Sequence, residues 1–85
     1  MRLDKYLKVS RIIKRRTVAN DVADMGRVSV NGRTVKPSYD VKVGDIIEIQ
    51  FGSSLNRYEV LSISEHTTKA GAADLYRILP GAKNE

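Results

Sequence analysis

A chain of 85 residues and 9.5 kDa holds one small domain and has no room for both a substrate cleft and a separate module. Hydrophobic residues make up 41 % and charged residues 29 %, with 6 Gly and 2 Pro, which is a folding composition and not a disordered or fibrous one. With no Cys and a single His the chain lacks a disulfide framework, a cysteine nucleophile and a ligand set for zinc, so neither metal nor cofactor is expected.

No apolar run approaches the roughly 20 residues that span a bilayer, and the N-terminus lacks the apolar core of a signal peptide. A cytoplasmic chain with no membrane partner is the expectation. Lys and Arg number 15 against 10 Asp and Glu, a net charge of +5. Such a balance favours a polyanionic partner. The excess is uneven: residues 1–44 hold 11 basic and 4 acidic residues, whereas residues 45–85 hold 4 basic and 6 acidic. Arg2, Lys5, Lys8, Arg11, Lys14, Arg15 and Arg16 share one short stretch in which Asp4 is the only acid. This stretch is the candidate contact surface.

Leu3, Tyr6 and Leu7 recur at helical spacing, with Arg2, Lys5 and Lys8 on roughly the opposite side, which predicts a short helix with a cationic outer face. After a break over 9–14, Val18, Ala19, Val22 and Met25 repeat the spacing and Gly26 suits a left-handed C-terminal residue, predicting a second helix over about 15–25. The period then changes to two. Arg27-Val28-Ser29-Val30, the turn signal Asn31-Gly32 and the returning Arg33-Thr34-Val35 predict a tight hairpin. Gly44-Asp45 turns the chain into a strand over 46–51, with Ile47, Ile49 and Phe51 on one face. Residues 52–56 read as a turn and 57–64 as a further strand, whose apolar phase shifts between Val60 and Leu61 as at a bulge or in a strand buried on both faces. Ala72, Leu75, Tyr76 and Leu79 space helically before Pro80-Gly81, which predicts a short tail helix over 71–79. Helices followed by strands give an α+β fold.

Together, Arg2-Leu3-Asp4-Lys5-Tyr6-Leu7, Arg11, Arg16, Ala19, Gly26, Val28, Val30-Asn31-Gly32, Val35, Pro37 and Val41 to Asp45 resemble an S4 RNA-binding domain over about residues 2–63. The resemblance implies two N-terminal helices packed on a small bent antiparallel sheet. It also implies a domain over 1–64 and an extension over 65–85, a short helix or tail that packs on the sheet or is partly flexible. Many S4 domains place Ser-Arg at the start of the second helix, where this chain has Arg15-Arg16 after Lys14. A serine there would cap the helix for about 1 kcal/mol, so an extra guanidinium in its place points to an anionic neighbour. The Lys-Arg-Arg triplet, the short length and the tail resemble the ribosome-associated heat-shock protein 15 family, closest to its short Gram-positive RqcP branch. That resemblance implies a monomeric, non-catalytic factor on the free large (50S) ribosomal subunit that carries an obstructed peptidyl-tRNA. It further implies contact with large-subunit rRNA and with tRNA, in a quality-control process where a partner protein tails the nascent chain without mRNA. Arg2 and Arg16 match the family's motif most directly.

Arg and Lys on one surface bind an RNA backbone through charge and counterion release, and arginine adds a planar fork for phosphate and a flat face for stacking. Arg2, Arg11, Arg15 and Arg16 therefore rank above Lys5, Lys8 and Lys14, and on the hairpin Arg33 and Lys36 extend the footprint. A solvated helix face is the bland alternative, disfavoured by the scarcity of nearby acids. Asn31-Gly32 reads as turn structure before sugar contact, Tyr6 as core before base stacking, and Tyr39 as open between the two. Asp4 reads as a helix-end or arginine partner, and His66 as an exposed loop residue. Two competing functions are an RNA-modifying enzyme or its accessory, disfavoured because residues 64–85 cannot form a catalytic domain, and a protein adaptor whose RNA contact is incidental. General recycling of blocked 50S subunits is the nearest alternative to tailing support.

Overall fold

The structure, a computed structural model, describes residues 1–64, 71 and 73–83. Two helices, α1 (Leu3–Val9) and α2 (Arg16–Asp24), precede a five-stranded antiparallel sheet. Its strands are β1 (Val28–Val30), β2 (Arg33–Thr34), β3 (Ile46–Phe51), β4 (Ser54–Val60) and β5 (Tyr76–Lys83), in the order β2-β1-β3-β4-β5. The helices pack on one sheet face around Leu3, Tyr6, Leu7, Ala19, Ala23, Val28, Val30, Ile47, Ile49 and Val60, all buried.

Neither helix has a side-chain cap at its N-terminus. For α1 the loop before β3 does that work: the Leu3 amide donates to the Tyr39 carbonyl at 2.8 Å and the Asp4 amide to the Pro37 carbonyl at 3.2 Å. At its other end Arg11 sits at φ 63°, a left-handed conformation that is costly for any residue with a Cβ. The end of α2 matches the expectation from Gly26. That glycine, at φ 77°, donates to the Ala23 carbonyl, and Arg27 donates to the Val22 carbonyl, which together close a Schellman turn. The buried stripe of α2 is rotated from the expected arc: Ala19 and Ala23 face the core, while Val18 and Met25 are exposed. Small side chains there let α1 and α2 approach closely, and that gain outweighs burying the larger valine and methionine.

The hairpin and the strand over 46–51 form as the sequence predicts, with Asn31 at φ 54° and Gly32 at φ 85° as a two-residue turn of this kind needs. The turn after β3 is shorter than expected, since Ser54, Leu55 and Asn56 pair with β3 as part of β4. No bulge separates Val60 from Leu61. Instead β4 ends at Val60, and the irregularity lies between Leu55 and Arg57, where β5 changes register.

The expected tail helix over 71–79 is overturned. A 3-10 turn, Ala73–Leu75, leads into β5, which pairs Tyr76 with Val60, Arg77 with Glu59, Ile78 with Tyr58 and Leu79 with Arg57. Without β5 the edge of β4 would be left unpaired, and the Tyr-Arg-Ile-Leu run suits a strand, so the ladder wins over the helical spacing. Pro80 is tolerated because β5 is an edge strand. Ala72 and His66 lie outside the described residues.

Candidate RNA-binding surface

The helical surface is organised by one carboxylate. The Asp4 side chain is 3 % exposed, in the first turn of α1 and facing α2. Its Oδ1 accepts from Arg2 Nε at 3.2 Å and from Arg16 Nη2 at 3.4 Å, and its Oδ2 accepts from Arg2 Nη2 and Asn20 Nδ2, both at 3.1 Å. Arg16 and Asn20 stand one turn apart on α2 and so reach the same acceptor. Burial pushes the Asp4 pKa up, but the hydrogen bonds from Arg2 and Asn20 and the charges of Arg16 and Arg2 together hold it below the ordinary carboxylate value. The two guanidinium groups are thereby fixed side by side, and about half of each side chain remains exposed, 51 % for Arg2 and 47 % for Arg16.

Around this pair lie the other predicted residues. Lys5 is half-buried and Lys8 exposed on α1; Arg11 and Lys14 lie exposed in the connection to α2, and Arg15 sits exposed at the residue before α2. Lys36 is next to Pro37, whose carbonyl accepts the Asp4 amide, so the end of the hairpin is brought to the start of α1. Arg33 is exposed on β2 at the edge of the same sheet. Among the described residues, Lys8, Arg11, Lys14, Arg15, Arg33 and Lys36 form no ion pair.

Arg57, Arg77 and Lys42 are already compensated. Arg57 Nε lies 2.9 Å from Glu48 Oε2, a contact of charges more than an aligned hydrogen bond, and Arg77 pairs with Glu59. Both pairs cross neighbouring strands on the sheet face turned away from the helices. Lys42 is held by Asp40, which also accepts from the Met1 α-amino group at 2.8 Å. Uncompensated positive charge is thus concentrated on the helical side, where an anionic ligand meets the least competition.

Asn31 and Tyr39 resolve as structure. Asn31 donates to Asp45 Oδ1 and accepts from the Ile46 amide, both at 3.0 Å, while the Tyr39 hydroxyl and the Lys42 amide donate to Asp45 Oδ2 at the same distance. This knot around the buried Asp45 fixes the hairpin that carries Arg33 and Lys36. Tyr6 is core, as expected: fully buried, it donates its hydroxyl to the Leu75 carbonyl at 2.7 Å. Asn20 escapes sequence reasoning. Its place one turn from Arg16 is legible, but its acceptor sits on another helix.

Three comparisons bear on this surface. The family model described as S4 domain matches residues 1–47. A protein of Streptococcus pneumoniae called RQC P-site tRNA stabilizing factor is 55 % identical over 85 residues, covering 100 % of this chain and 97 % of that protein. Its namesake from Bacillus subtilis is 52 % identical over 83 residues, covering 98 % and 96 %.

The chain belongs to the S4-domain family of RQC P-site tRNA stabilizing factors.

Beyond that family, the heat shock protein 15 of Vibrio cholerae, described as trimeric, superposes with a TM-score of 0.84 at 32 % identity, covering 93 % of this chain and 81 % of that one. The S4 match ends at residue 47, so it takes in α1, α2, the hairpin and the start of β3, and every predicted contact residue falls within it. No helix of the described residues is long and apolar enough to cross a membrane.

Proposed function

We propose that this protein is a non-catalytic RNA-binding factor that binds the free 50S ribosomal subunit when an obstructed peptidyl-tRNA remains on it. It contacts large-subunit rRNA and tRNA through Arg2, Lys5, Lys8, Arg11, Lys14, Arg15, Arg16, Arg33 and Lys36. The observation that carries the reading is the Arg2 and Arg16 pair held on Asp4, with Lys8, Arg11, Lys14, Arg15, Arg33 and Lys36 exposed around it. In this reading residues 1–64 form the RNA-binding domain and 65–85 an extension that supports it. The factor steadies the tRNA in the cytoplasm while a partner protein on the same subunit tails the nascent chain. The names of its relatives favour this over general recycling, because they specify stabilisation of a P-site tRNA by those proteins.

Sedimentation tests the assignment. The protein is expected in the 50S fraction of cells that accumulate stalled nascent chains, and its absence there refutes the reading. Replacing Arg16 by Ala should weaken binding to purified 50S subunits and lower the slope of log affinity against log salt by about 1. The factor acts as a monomer; since the Vibrio relative is described as trimeric, light scattering over a range of concentrations decides the state.

A further inference from the structure

We infer that the hollow beside Arg16 binds one unpaired guanine, read through the Asp21 carboxylate. The inference rests on the RNA-binding reading and names the part of the RNA that is recognised. A concavity of about 290 Å³ opens at the first turns of α2, lined by Asp4, Arg16, Thr17, Asn20 and Asp21. At its base, Asp4 is occupied by Arg2, Arg16 and Asn20. What remains open is the Thr17 hydroxyl and the Asp21 carboxylate, neither of which has a side-chain partner among the described residues. Both residues are exposed to an incoming ligand.

Charge selects that ligand. Asp21 stands on a surface otherwise dominated by cations, and a carboxylate in the hollow repels phosphate, so the backbone is not the group that enters. A neutral base meets no such repulsion. A carboxylate presents two acceptor oxygens side by side, and guanine alone among the four bases carries two adjacent donors, N1–H and the N2 amino group, on its Watson–Crick edge. Arg16, anchored on Asp4 through Nη2, keeps N–H groups for the flanking phosphate and a planar face for the base. The Thr17 hydroxyl, on the same lining, is left to hydrogen-bond the sugar of that nucleotide. The hollow has room for a single base.

The test uses the full chain and four RNA hairpins that differ only in one bulged nucleotide, G, A, C or U, with affinities from fluorescence anisotropy at fixed salt. The G hairpin should bind about tenfold more tightly than the others, and D21N should erase that preference. Asp21 is exposed, so the variant keeps its fold, which a thermal melt checks. Equal wild-type affinities for all four hairpins overturn the inference. So does a D21N variant that tightens all four alike, the result of removing a merely repulsive charge. Either outcome leaves general RNA binding standing, whereas failure of the wild-type chain to bind any of the hairpins refutes both.

Discussion

Asp4 shows how a single acid can serve a cationic surface. Two arginines without it would repel each other and sample many rotamers; with it they share one acceptor and one geometry. Asp4→Asn keeps the shape and removes the charge, so it should destabilise the fold by about 1–3 kcal/mol in neutral buffer and weaken RNA binding. The folded-state pKa lies below the ordinary value of 3.8, so the unfolded chain takes up the proton more readily. The stabilisation is therefore full above that value and is lost as pH falls below it toward the depressed one. Urea midpoints of wild type and D4N should differ in neutral buffer and converge in acid. Arg11 carries an opposite trade. Its left-handed backbone suits glycine, so Arg11→Gly should stabilise the chain by about 1 kcal/mol, raise the melting temperature by roughly 4–8 °C and still weaken RNA binding.

Elements whose causes are local could be read from the sequence, and those whose causes are distant could not. Asn31-Gly32 fixes its own turn, and Gly26 ends α2, because each acts within a few residues through backbone conformation. β5 is not legible locally, because its partner β4 lies across a long connection, and only that partner's open edge turns a helically spaced segment into a strand. Exposed cations were likewise legible from charge, but which of them are neutralised was not, since Glu48 and Glu59 meet Arg57 and Arg77 only once the strands pair. The tie between α1 and the 3-10 turn that leads into β5 is measurable. Tyr6→Phe removes the hydroxyl that donates to the Leu75 carbonyl, which keeps the Leu61 and Ser62 amides at 2.9 and 3.2 Å. With no orphaned acceptor, the loss should be about 0.5–1.5 kcal/mol in thermal melts, with RNA affinity little changed.

Across the whole molecule, charge is sorted by face and not merely summed. Replacing both Arg57 and Arg77 by Gln removes two charges from the face turned away from the helices, where each is already paired. Replacing Lys14 and Arg15 removes the same two charges from the helical side. Salt titrations should separate them: the first pair should leave the slope unchanged, the second should lower it by about 2. A shared slope would mean that net charge alone drives association. The bond between Tyr6 and Leu75, 69 positions apart, has a consequence for timing. While the chain is being synthesised, the acceptor for that hydroxyl still lies inside the exit tunnel after both helices have emerged. The contact that closes the core onto α1 therefore forms only after residue 75 has followed both helices out.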